Sequence, residues 1–211
     1  MKKILVFTGR KGRGKTTAAN YTKELLSDPN DPYAYSVDHI SFATPLKELC
    51  INFLGLRPDQ CYGTNLAKKV TPSEWRWEEI SKEMQQEFGK ETGFITAREI
   101  LQIVGTNLFR NHFADHIWVK AAINLVQKSD ANVIVVDDAR FPNEVESLRK
   151  KEAIMIRMLR NRPEDKNEHP SEKALDDYPN ESYNYIIGPD VEGVPALKAE
   201  VLKILIKENL V

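Results

Sequence analysis

The sequence predicts an α/β fold, a mainly parallel sheet of five strands with helices on both faces, and three observations carry that expectation. Lys3 to Thr8 is a short apolar run closed by Gly9, as in a strand buried on both faces. Val133 to Val136 is a second run of the same kind, ending at Asp137 and Asp138. Between and after them, strand-like and helix-like stretches alternate, which is the mark of a doubly wound sheet.

The elements follow in order. A helix is expected from Lys15 to Leu26, ended by the turn-rich Ser27-Asp28-Pro29-Asn30-Asp31-Pro32. A strand is expected around Tyr35 to Phe42, then a helix from Pro45, a favoured first-turn residue, to Leu54. From Leu56 to Gly93 the periodicity weakens, and this stretch reads as an insertion with a helix near Ser73 to Phe88. Ile100, Leu101, Val104 and Leu108 recur at a helical period from Thr96 to Phe109, with Thr96 as cap and Glu99 three residues on. Another helix is expected from Ala114 to Lys128, and one from Asn143. Ile154 to Leu159 and Tyr183 to Ile187 supply the last two strands, and Ala196 to Glu208 the closing helix. Arg160 to Ser182 is highly charged and nearly empty of large aliphatics, so a mobile flap is expected there.

Composition narrows the partners. Apolar residues form 41% of the 211 and charged residues 29%, enough for a core and a polar coat in one domain. Thirty basic against 31 acidic residues leave a net charge of -1, so no overall field draws the chain to nucleic acid or to an anionic membrane. Cys50 and Cys61 lack the spacing of a metal knuckle or a redox pair, no apolar run suits a membrane span, and a cytoplasmic setting is expected.

The chemistry is signalled by Gly9-Arg10-Lys11-Gly12-Arg13-Gly14-Lys15-Thr16, the G-x-x-x-x-G-K-T spacing between a strand and a helix. Backbone N–H groups of such a loop curl around phosphate oxygens, and the helix start adds partial positive charge. The candidate nucleotide-binding residues are Gly9, Lys11, Gly12, Arg13, Gly14, Lys15, Thr16 and Thr17. Lys15 is expected on the β and γ phosphates of ATP, and the Thr16 hydroxyl on Mg²⁺. The fold is then the three-layer P-loop NTPase fold. Asp137 and Asp138 stand where ligands of open α/β sheets bind, and one of them can hold the metal's water shell. Arg140 can address a second anionic group. On the flap or the strand leading to it, Arg157, Arg160, Arg162 and Lys166 can neutralise charge on a transferring phosphoryl group, and His169 is given a positioning role. No guanine-reading motif is present, and a compact phosphoryl transferase is preferred.

With these residues laid out, the chain resembles the deoxynucleoside monophosphate kinases of bacteriophage type, relatives of the adenylate and guanylate kinase group. The likeness rests on the phosphate loop and four further blocks in this order: Phe42-Ala43-Thr44-Pro45-Leu46-Lys47; Arg98-Glu99-Ile100-Leu101-Gln102 with Gly105-Thr106 and Trp118-Val119-Lys120; Asp138-Ala139-Arg140-Phe141-Pro142-Asn143-Glu144; and Glu168-His169-Pro170-Ser171-Glu172. The insertion from Leu56 to Gly93 departs from the family's pattern. The resemblance implies ATP with Mg²⁺ as donor and a deoxynucleoside monophosphate as acceptor, bound by Lys47, Arg98, Gln102, Gly105, Trp118, Asp138, Arg140 and Glu144. Trp118 would pack on base or sugar. It implies catalysis by Lys15, Arg140 and Arg160, a metal held by Thr16 and Asp138, and a lid with Arg160, Arg162, His169 and Glu172. One kinase domain over residues 1–211 is expected, with a core of about 1–55 and 130–211, a helical monophosphate-binding insertion at about 56–128 and a lid at about 160–182, as monomer or homodimer. Two alternatives stay open: a kinase for another small metabolite of the dephospho-coenzyme A kind, with Asp38 or Asp138 as base, and an ATP-binding module without transfer.

Overall fold

In a computed structural model, which describes residues 2–63, 70–161 and 173–211, the chain runs β1 (Lys3–Thr8), α1 (Lys15–Leu26), β2 (Val37–His39), α2 (Thr44–Asn52), α3 (Pro58–Tyr62), β3 (Pro72–Arg76), α4 (Lys82–Phe88) and β4 (Phe94–Thr96). There follow α5 (Ala97–Gln102), continued by a π-helical segment Ile103–Arg110, then α6 (Ile117–Lys128), β5 (Val133–Val136), α7 (Pro142–Arg149), β6 (Ile154–Met158), β7 (Tyr185–Ile187) and α8 (Gly193–Lys207). The expected flap residues Arg162, Lys166, His169 and Glu172 lie outside the described residues.

The chain divides into two units, 1–42 with 122–211, and 43–121. The first holds the five-stranded sheet in the order β2-β5-β1-β6-β7, every neighbouring pair parallel. Side chains alternate across a strand, so Leu5 and Phe7 point to one face, where Ala18, Ala19, Leu197, Val201 and Leu205 cover them. The alternate residues Ile4, Val6, Ile134, Val136 and Met155 are buried on the other face. Such two-sided burial explains the uninterrupted apolar runs at β1 and β5. The sheet is therefore the five-stranded, doubly covered α/β sheet expected. β2 is shorter than the expected Tyr35 to Phe42 because only Val37, Asp38 and His39 pair with β5.

Near the flap the packing differs from expectation. Arg157, on β6 and nearly buried, donates to the carbonyls of Leu175, Asp176 and Tyr178 and to Asn180 Oδ1, at 2.7 to 3.0 Å. With Leu175 buried as well, residues 173–180 are tied to the sheet rather than loose. A buried guanidinium needs acceptors, and the terminal nitrogens of Arg157 find them in three backbone carbonyls and the Asn180 side chain.

The second unit is built around Cys50, Leu56, Cys61, Trp77, Ile95, Ile100 and Val104. The helix expected over Ser73 to Phe88 is half of one: Lys82–Phe88 is helical, capped by Ser81, but Pro72–Arg76 pairs antiparallel with Phe94–Thr96. Ser73 explains the difference, its buried hydroxyl donating to the Ile95 carbonyl at 2.7 Å across the two strands. Thr96 and Glu99 form the predicted capping box: Thr96 Oγ1 accepts from the Glu99 N–H at 3.3 Å and Glu99 Oε2 from the Thr96 N–H at 2.8 Å.

Candidate active site

The phosphate loop joins β1, the central strand, to α1 at the carboxyl edge of the sheet. Its conformation demands glycine where side chains have no room. Gly9 has φ +131°, and a Cβ there would lie 2.5 Å from the Met158 carbonyl oxygen; Gly14, at φ +93°, would place one 2.6 Å from the Arg160 guanidinium and 2.9 Å from Leu197. Backbone is the harder obstacle of the two. Gly9→Ala is therefore expected to lower stability by about 2 kcal/mol or more, from strained backbone plus displaced β6. Urea unfolding reads this directly, and an unchanged midpoint would show that the loop absorbs the methyl group.

Lys15 is almost buried and donates to the loop's own carbonyls, Gly9 at 2.6 Å and Arg10 at 2.9 Å. These contacts hold the ammonium at the loop. Beside it, Asp137 accepts hydrogen bonds from His39 Nε2, at 2.9 Å, and from the Thr16 hydroxyl. Burial alone would raise the Asp137 carboxyl; the bonds from His39 and Thr16, with the charges of His39 and Lys15, outweigh it and hold the group below the usual carboxylate range. It is an anion at neutral pH.

This geometry distinguishes the two aspartates that the sequence left open. The carboxylate that meets the Thr16 hydroxyl is Asp137, whereas Asp138 turns away and accepts from the Phe42 N–H at 2.8 Å. Successive residues leaving a strand face opposite ways, so only one can face the start of α1. His39 was not singled out from sequence, although the parallel pairing of β2 with β5 sets it opposite Val135, two residues before Asp137. Asp38, the alternative base, is engaged by the Ser129 hydroxyl at 2.5 Å.

Other site residues fall into distinct places. Arg140 lines a cleft beside the loop together with Thr8, Gly9, Arg10 and Arg13. Arg160, expected to be catalytic, spends its guanidinium on carbonyls instead: Nε donates to Val191 at 2.8 Å, one terminal nitrogen to Gly193 at 2.7 Å, the other to Arg13 at 3.4 Å. It braces the loop against the start of α8. Glu144 is buried, and its carboxylate accepts from the N–H groups of Arg140 and Phe141 at 2.7 and 3.2 Å. That capping box opens α7 and shapes the turn carrying Arg140.

In the second unit, Trp118 is not placed to stack on a base. It is buried, donates its indole N–H to the Gly105 carbonyl at 2.8 Å, and packs on Phe109 at 5.3 Å between ring centroids. Gly105 has a packing reason of its own: a Cβ would come within 2.7 Å of Leu46. The carbonyl it offers to Trp118 lies in the π-helical segment, whose wider turn departs from the ordinary i−4 ladder. Lys47 and Arg98 are half-buried, the Arg98 Nε fully so, and Gln102 is exposed. Among the described residues, no helix is long and apolar enough to cross a membrane.

A G-x-x-x-x-G-K-T loop closing on an acidic strand end, in a sheet of this order, defines a three-layer P-loop kinase fold. Comparison with known proteins narrows the class. A profile of the family described as deoxynucleotide monophosphate kinase matches residues 60–191. A protein of Acanthamoeba polyphaga mimivirus bearing the name of a deoxynucleotide monophosphate kinase is 31% identical over 186 residues, 82% of this chain and 81% of that one. The deoxynucleoside-5'-monophosphate kinase of Escherichia phage T5 is 28% identical over 239 residues, 92% of each chain. The chain belongs to the deoxynucleotide monophosphate kinase family, and it is a phosphotransferase by that membership. The matched span takes in residues 60–93 of the insertion.

Proposed function

We propose that the chain transfers the γ-phosphoryl of ATP to the phosphate of a deoxynucleoside monophosphate, giving the diphosphate and ADP. The observation that carries this is the clustering of Lys15, Thr16 and Asp137 at the phosphate loop in a chain of this family. An acceptor phosphate is already anionic near neutral pH, so no side-chain base is needed. Alignment and charge neutralisation suffice.

Lys15 and the loop N–H groups bind the donor phosphates. Arg140, on its capped turn, neutralises charge between donor and acceptor. Lys47, Arg98 and Gln102 bind the acceptor, which assigns acceptor recognition to residues 43–121. Thr16 and Asp137 would hold Mg²⁺: both offer hard oxygen, and Mg²⁺ is commonly bound by one or two protein groups with substrate phosphates completing its shell. When bound, the ion would supply positive charge that offsets the charge building up on the transferring phosphoryl group. The setting we propose is the cytoplasm, that of the host if the chain is phage-encoded.

A coupled assay of ADP release tests this, with Mg-ATP and each common deoxynucleoside and ribonucleoside monophosphate in turn. Turnover with a subset of deoxynucleotides is expected. Silence with all of them alongside measurable ATP binding would instead support a kinase for another small metabolite, or a module that binds ATP without transfer.

A further inference from the structure

Lys47 has a neighbour that nothing in the phosphate-loop chemistry requires. Its ammonium sits over the ring of Tyr62, 4.5 Å from the centroid. The Tyr62 hydroxyl donates to Glu48 Oε1 at 2.6 Å, and Glu48 Oε2 accepts from Asn52 at 3.4 Å. Lys47 and Glu48 are consecutive on α2, and Tyr62 ends α3, which packs on α2. We propose that Tyr62, fixed by Glu48, is a positioning residue that holds the Lys47 ammonium ready for the acceptor phosphate. This rests on Lys47 being the acceptor-phosphate ligand, as proposed above.

The choice of an aromatic ring is what makes the arrangement informative. A lysine on a four-carbon stem samples many rotamers and must be restrained to bind in one place. A carboxylate would restrain it and also cancel its charge. A ring face attracts the ammonium through its quadrupole and carries no net charge, so the full positive charge stays available for a phosphate. Glu48 is the nearest carboxylate in sequence, and the phenol engages it. Among the described residues Lys47 is paired with no carboxylate. The phenol remains a donor across the working pH range, since burial and then the Glu48 bond both push its pKa upward.

The test is kinetic. Tyr62→Leu removes the ring and is expected to raise KM for the best deoxynucleoside monophosphate by about two- to fivefold, the loss of one partly exposed cation–π contact. The turnover number and KM for ATP should stay near wild type. Tyr62→Phe keeps the ring and should bring the acceptor KM back to within about twofold of wild type. Because Tyr62 is half exposed, folding should survive both changes, and a thermal melt checks it. The decisive comparison uses Lys47→Ala. That variant alone should raise the acceptor KM, and adding Tyr62→Leu to it should change nothing more. If Lys47→Ala leaves the acceptor KM unaltered, the assignment of Lys47 fails and the holder with it. If Lys47→Ala raises KM while Tyr62→Leu does not, or if Tyr62→Leu costs the same factor without Lys47, the holder is overturned and the assignment of Lys47 stands.

Discussion

Lys15→Ala is expected to lower the turnover number by about 10²- to 10³-fold, the scale seen when one preorganised group is removed from a developing charge. Its ammonium is nearly buried and already bonded to the carbonyls of Gly9 and Arg10, so it needs little reorganisation to meet phosphate oxygens. Two effects on stability oppose one another. The variant loses two hydrogen bonds, but it also sheds the desolvation of a charged group. Water can reach the vacated carbonyls, because Lys11 and Gly12 beside them are exposed. Net stability should stay within about 1 kcal/mol of wild type. Steady-state kinetics beside urea unfolding separates the two quantities. A variant that turns over like wild type would remove Lys15 from the donor site, and one that unfolds would leave the kinetic loss to be repeated with Lys15→Met, which keeps most of the aliphatic stem.

How much of this was legible in the sequence depends on how local each determinant is. β1 and α1 match their expected bounds, Lys3–Thr8 and Lys15–Leu26, because a run buried on both faces and a glycine loop are short-range signals. The same holds for Thr96 and Glu99, whose capping box closes within four residues. The strand Pro72–Arg76 was missed because its partner lies some twenty residues on, at Phe94–Thr96, and its register is irregular. No periodicity within the segment reports such a partner. Trp118 shows the same limit for a single side chain. An indole suits a base stack and a core equally well, and only the approach of the Gly105 carbonyl and the Phe109 ring decides it. Arg157 and Arg160 read from sequence as cations available to a substrate. In the fold both face carbonyls, and a guanidinium with five donors settles wherever backbone acceptors converge.

The two aspartates after β5 separate most cleanly by experiment. Asp137→Asn is expected to lower turnover with Mg-ATP by about 10²-fold and to raise the Mg²⁺ concentration needed for half-maximal rate, as loss of charge in or next to a metal shell does. Asparagine keeps the shape but not the charge, which leaves His39, Lys15 and the Thr16 hydroxyl facing a neutral amide in a buried place. Asp138→Asn should cost far less than tenfold. Its carboxylate accepts from the Phe42 N–H, and an amide oxygen accepts that bond nearly as well. The pH dependence points the same way. Asp137 is held below the usual carboxylate range, so it is ionised throughout the neutral region; activity that depends on it should be flat there and fall only as acid approaches its lowered pKa. Turnover and Mg²⁺ titrations of both variants decide the matter. Equal losses, or the larger loss at Asp138, would return the metal to the residue the family pattern selects and leave Asp137 as an anchor for His39 and the start of α1.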